Sequence, residues 1–190
     1  DVFPWRPPTS FQGQMFVDYE NIGGSAHAIG LPIRDASNIR GGKMQLFQKG
    51  RMYYKNGSST AKEVHGAILT RYLRIGGHTK RGFPISDELS IKSGARTIGK
   101  RSDFETCSIY WSSRSGAYEV YGHIRQKYTD QGGPNGQLGF PTSGEMDIPG
   151  EKGARYNTFQ NGTITWFRSW SNTFVSYPFQ IFLQLSLIHI

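Results

Sequence analysis

Glu88 and Glu145 each stand four residues after a proline, in the similar surroundings Gly82-Phe83-Pro84 and Gly139-Phe140-Pro141, and Asp87 adjoins Glu88. Paired carboxylates are what glycoside hydrolysis uses, one as acid and one as base or nucleophile, at a defined separation. Adjacent Asp87 and Glu88 diverge, and Glu88 and Glu145 occupy equivalent places in different stretches of chain. Both acids therefore read as braces or caps of the proline loop. Flat faces suited to sugar CH groups come from Tyr53-Tyr54, Tyr110-Trp111, Tyr118 and Trp166. Neighbours on a strand point to opposite faces, so at most one of each adjacent pair meets solvent. The candidate ligand-contacting set is Tyr54, Tyr110, Trp111, Tyr118, Trp166, Glu88 and Glu145; no catalytic residue is identified.

Other chemistry is thinly supported. His27, His65, His78, His123 and His189 show no metal-ligand spacing, so neither a metal nor a cofactor is expected. Ser143 lies in Thr142-Ser143-Gly144-Glu145, which lacks the Gly-x-Ser-x-Gly elbow of serine hydrolases. Cys107 is the only cysteine, which excludes an internal disulfide; as a nucleophile it would need His65 or His123 as base.

The elements that carry these residues recur. Phe11-Gln12-Gly13-Gln14-Met15, Val64-His65-Gly66-Ala67-Ile68 and Val120-Tyr121-Gly122-His123-Ile124 are each followed by Tyr19, Tyr72 or Tyr128, then by Gly23-Gly24, Gly76-Gly77 or Gly132-Gly133. Next come Ile29-Gly30-Leu31-Pro32, Arg81-Gly82-Phe83-Pro84 and Leu138-Gly139-Phe140-Pro141. Later, Phe47 to Tyr54 aligns with Phe104 to Trp111 and Phe159 to Trp166. So many ordered landmarks establish a three-copy tandem array.

Val64, Ile68 and Tyr72, like Val120, Ile124 and Tyr128, have the i, i+4, i+8 spacing of a short amphipathic helix, which the Gly-Gly pair then stops. Ala154 to Phe159 alternates toward a turn at Gln160-Asn161-Gly162 and returns as Thr163 to Trp166, a β-hairpin. Polar connections such as Ser112 to Gly116 lead to the next helix. Gly50 and Gly162 share a turn position with Cys107, which suggests a positive φ there. Neither a two-turn helix nor a hairpin buries its apolar face alone, so neighbouring copies must supply each other's core.

Composition agrees with this reading. Glycine (24 residues) and aromatics (14%) are abundant and charged residues few (19%), a balance of short strands and tight turns. The net charge of +8 comes from scattered Lys and Arg, which attracts anionic polymers without forming a specific nucleic-acid groove. Residues 1–10 show no signal-peptide pattern. The apolar stretch from Phe179 to Ile190 is too short to span a bilayer as a helix and reads as a cloning-derived or frame-altered tail.

From about Phe11 to Val175 the chain resembles the LGFP repeats of actinobacterial cell-wall-associated proteins. Leu138-Gly139-Phe140-Pro141 is the motif that gives them their name, and the Gly-Gly, Gly-x-Pro-x-x-x-Glu, Phe-x-x-Gly and Ile-Tyr-Trp landmarks accompany it. The resemblance implies a radial, propeller-like array in a secreted or wall-associated protein, of the kind appended to mycolyltransferases and amidases to hold them on envelope polysaccharide. The first copy departs from the pattern, with Ala36 in place of the glutamate.

The expected architecture is a β-rich α+β repeat protein of three helix-plus-hairpin units: an extension at 1–10, copies at 11–63, 64–119 and 120–176, and a tail at 177–190. After Trp166 the frame places Val175 where Val120 follows Trp111, and a fourth copy reads as cut off. The expected function is a non-catalytic module binding anionic wall glycan, with no membrane span. A hydrolase of esters or glycosides with a site at a repeat junction is the second class, and a scaffold that self-associates to complete its ring is the third.

Overall fold

The structure is a computed structural model that describes residues 13–178. Residues 1–10, the first-copy landmark Phe11 and the tail beyond Pro178 lie outside the described residues. Each copy contributes a four-stranded antiparallel sheet preceded by one short helix, or by two in the second copy. The first has α1 (Gln14–Asn21), then β1 (Ser37–Ile39), β2 (Gly42–Leu46), β3 (Gly50–Lys55) and β4 (Lys62–His65). In the second, α2 (Gly66–Arg74) and α3 (Gly77–Arg81) precede β5 (Leu89–Ser93), β6 (Arg96–Asp103), β7 (Cys107–Ser112) and β8 (Gly116–Tyr121). The third runs through α4 (Gly122–Asp130), β9 (Met146–Asp147), β10 (Arg155–Phe159), β11 (Gly162–Phe167) and β12 (Asn172–Ser176). Strands pair in chain order in all three sheets.

The sequence copies are not the packing units. The chain forms two compact units, one reaching Leu89 and including Ser102–Glu105, the other made of Ser90–Arg101 and the chain from Thr106. Met15, Tyr19, Ile29, Phe47 and Met52 share a core in the first; Tyr110, Ile124, Tyr128, Phe140 and Phe159 share one in the second.

One interaction set explains the copied landmarks. The helix tyrosine sends its hydroxyl to the carbonyl of the Gly-x-Pro glycine: Tyr19 to Gly30 (3.1 Å), Tyr72 to Gly82 (2.6 Å) and Tyr128 to Gly139 (2.7 Å). Its ring packs on the hairpin phenylalanine, with centroids 5.1 Å apart for Tyr19–Phe47, 4.2 Å for Tyr72–Phe104 and 4.5 Å for Tyr128–Phe159. The next hairpin residue accepts the N–H of the residue between glycine and proline: Gln48 from Leu31 (3.0 Å), Glu105 from Phe83 (2.9 Å) and Gln160 from Phe140 (3.1 Å). Bridges Pro32 to Phe47, Pro84 to Phe104 and Pro141 to Phe159 complete the pin. Glycine is required here twice over. Gly30, Gly82 and Gly139 have φ of 73°, 75° and 70°, and a Cβ on Gly139 would sit 2.5 Å from Gln160 Oε1.

Four expectations change. The helices begin at Gly66 and Gly122, so Val64 and Val120 are the next-to-last residues of strands β4 and β8, although both remain fully buried. Each hairpin gains two outer strands, one after the Gly-x-Pro loop and one before the next helix, making the expected Ser112 to Gly116 connection the β7–β8 turn. Register also corrects the third copy. Val175 lies opposite Ile164, as Glu119 lies opposite Ile109 and Glu63 opposite Met52, so Ser176 is the counterpart of Val120 and Tyr177 that of Tyr121. Finally, Gly50 and Gly162 do not have positive φ. Crowding is the reason for glycine there, since a Cβ on Gly50 would meet Ile29 Cγ2 at 2.5 Å and one on Gly162 would meet Leu138 Cδ2 at 2.9 Å.

Candidate functional site

The seven candidate residues divide by environment. Tyr110 is buried (3% exposed), its ring edge-on to Tyr128 at 5.2 Å, which makes it core. Tyr54 is half-buried against the first core and donates its hydroxyl to the Ser58 carbonyl (2.8 Å). Trp111 and Tyr118 are half-buried on β7 and β8.

Glu88 sits in a polar cluster of the first unit. Its N–H donates to Glu63 Oε1 (2.9 Å), while Asp87 accepts the Glu63 N–H (3.0 Å) and pairs with Lys62 (3.1 Å). His65 stands between two carboxylates, Nδ1 donating to Glu63 Oε2 (2.6 Å) and Nε2 lying 3.5 Å from Glu88 Oε2, with His27 edge-on at 5.7 Å. Burial works against ionised Glu63, but the His65 hydrogen bond, the Glu88 N–H and the charges of His65 and His27 outweigh it and hold the carboxyl below the ordinary value. Both nitrogens of His65 thus face acids, leaving neither turned to a nucleophile. The cluster braces the loop, and the residue that does most, Glu63, is missing from the sequence-derived set because it shows itself only once β4 meets the Glu88 loop.

In the second unit Glu145 and Trp166 come together. A cleft of about 230 Å³ is lined by Tyr121, His123, Ile124, Glu145, Arg155 and Trp166. β10 and β11 position two of these residues, since Arg155 and Trp166 are cross-strand partners; the start of α4 supplies His123, which stacks on the indole (5.1 Å between centroids, 14° between planes). Arg155 reaches Glu145 (Nε to Oε1, 3.7 Å) and pairs with Asp147. The indole N–H is shielded and has no acceptor among the described residues. The lining is therefore mainly apolar and aromatic, with a guanidinium–carboxylate pair on one wall. Spacing alone could have suggested Arg155 and His123, since one opposes Trp166 across the Asn161-Gly162 turn and the other follows the helix glycine.

Cys107 is fully buried, so its thiol is not open to a substrate. Among the described residues, no group of three or more His, Cys, Asp or Glu side chains is placed to hold a metal, and no helix is long and apolar enough to cross a membrane.

The LGFP repeat family model matches residues 29–79, 82–136 and 138–174, most of the chain. The chain belongs to the LGFP repeat family. Curated proteins include no match to it. The matched spans of this LGFP array begin at Ile29, Gly82 and Leu138, in the three pinned Gly-x-Pro loops.

Proposed function

We propose that this LGFP array is a non-catalytic module of a secreted or wall-associated protein that holds anionic envelope polysaccharide, with the third-copy cleft as its principal contact. The observation that carries the reading is the meeting of Trp166, His123 and Tyr121 with Arg155 and Glu145 in one cleft. Aromatic walls suit sugar CH faces, and a fixed guanidinium and carboxylate suit ring hydroxyls. Tyr54, Trp111, Tyr118 and Glu88 belong to the same proposal as secondary contacts, and Tyr110 acts through its core packing. The net charge of +8 adds long-range attraction to acidic polymers. Three copies bounded at 11–63, 64–119 and 120–176 are part of this reading, supported by the strand order that recurs in each.

Co-sedimentation with insoluble cell-wall fractions tests it. Retention should fall as salt rises, and Trp166→Ala and Arg155→Ala should each weaken it by about tenfold, the size of one lost contact of ~1.4 kcal/mol. If no wall fraction retains the protein, the reading fails.

A further inference from the structure

We propose that the aromatic face made by Phe167, Trp170 and Phe174 is the surface through which two copies of this chain associate. The three rings contact one another, with centroids 4.8 Å apart for Phe167–Trp170, 5.9 Å for Phe167–Phe174 and 5.9 Å for Trp170–Phe174. Even so, Trp170 remains 66% and Phe174 45% exposed. The sheet register shows what is unusual here. Phe174 opposes Thr165 as Lys62 opposes Tyr53 and Tyr118 opposes Tyr110. Lys62 is engaged by Asp87 of the following loop, and next to it Glu63 holds Glu88. On β12 the corresponding pair is Phe174-Val175, which offers no ion to such a loop.

Charge selects the occupant. Between Gly162 and Pro178 the only charged residue is Arg168, in a chain of net charge +8. An anionic polymer gains little at such a face, whereas two like-charged chains approach with least repulsion where charge is lowest. Among the described residues β12 is also the end strand of its sheet, and an end strand pairs readily with its own copy across a two-fold axis, where each ring meets a ring. With Trp170 66% and Phe174 45% exposed, the three rings, of ~150–250 Å² each, still have on the order of 300 Å² per chain to bury, well short of the ~800 Å² per partner of a standard interface. The dimer is therefore weak and concentration-dependent.

Sedimentation equilibrium of the full chain over a concentration series, at low and high salt, tests this. The mass should climb toward twice that of the chain, and more readily at high salt, because screening removes the mutual repulsion. Phe174→Lys, which restores the residue type the first copy carries at this position, and Trp170→Ser should each weaken association at least about tenfold. Leu73→Ser, at an exposed apolar residue of α2, should leave it unchanged. A monomer at every concentration overturns the proposal, as does association that weakens with salt or survives both aromatic changes. A monomer whose wall retention requires Trp170 also overturns it and assigns the face to glycan. Retention through Trp166 is measured separately, so the cleft reading and the dimer stand or fall independently.

Discussion

Glu63 accepts the backbone N–H of Glu88 at 2.9 Å, tying β4 of the first copy to the Gly-x-Pro loop of the second. Because its carboxyl is held below the ordinary value of 4.5, the stability it contributes is fully present above that pH and is lost as pH falls through the lowered folded value. Glu63→Gln should therefore reduce stability at neutral pH and flatten the acid limb of the stability curve. Denaturant titrations between pH 3 and pH 7, a window of roughly this width about the carboxylate range, would contradict this if both proteins lost stability in parallel.

Glu105 provides a contrasting case. Its carboxyl is lowered chiefly by the Lys55 hydrogen bond and then by the Phe83 N–H, with burial opposing. Gln48 and Gln160 do the same backbone job through a neutral amide. Glu105→Gln should keep the Phe83 bond and change neutral-pH stability by less than about 1 kcal/mol, the scale of an exposed ion pair. A much larger loss in thermal melts would show that charge, rather than hydrogen bonding, holds this loop.

The contrast also shows what a sequence can carry. The three copies, the glycine pairs and the β10–β11 hairpin are legible because each repeats a local requirement: a helix stop, a pinned glycine, a tight turn. The outer strands are not. Ser37-Asn38-Ile39 has no apolar alternation, and Val120 of β8 shares a core with Ile124 and Tyr128 of α4, so a strand residue completes a helical stripe across the strand-to-helix junction. Glu145 and Trp166 could be named but not joined, since only the folded sheet brings Arg155 between them. Trp170 and Phe174 escaped because alignment rewards what the copies share, and these residues have no aromatic match at the same place in all three.

Gly139 and Tyr128 should behave as two parts of one pin. Burial, with Tyr110 nearby, pushes the Tyr128 phenol well above its ordinary range, so it remains a hydrogen-bond donor throughout the working pH range. Tyr128→Phe should cost about 1–2 kcal/mol by leaving the Gly139 carbonyl without its donor. Gly139→Ala should cost about 2–3 kcal/mol, from ~1–2 for the left-handed backbone plus the displaced Gln160 acceptor. Combining the two should fall short of additivity, because the hydroxyl no longer has a correctly placed carbonyl to lose. Full additivity in a double-mutant cycle would separate them.

Cys107 supplies the last prediction, and its sign follows from packing. At the same turn position Gly50 lies under Ile29 and Gly162 under Leu138, with no room for a Cβ. The second copy has Arg81 in place of that aliphatic residue, and the Arg81 Nε instead donates to the Ile75 carbonyl at 3.2 Å. It also has a fully buried side chain, Cys107, in place of the glycine. No left-handed backbone is relieved by returning to glycine, since neither Gly50 nor Gly162 has a positive φ. Cys107→Gly should therefore open a small cavity and loosen the β7 backbone, costing about 1–2 kcal/mol. Cys107→Ala should cost less, because the Cβ remains. In the native protein the thiol should resist alkylation and react only as the chain unfolds, with a rate that tracks global stability. Rapid modification under native conditions, or a Cys107→Gly variant more stable than the parent, would show that the side chain fills no needed volume.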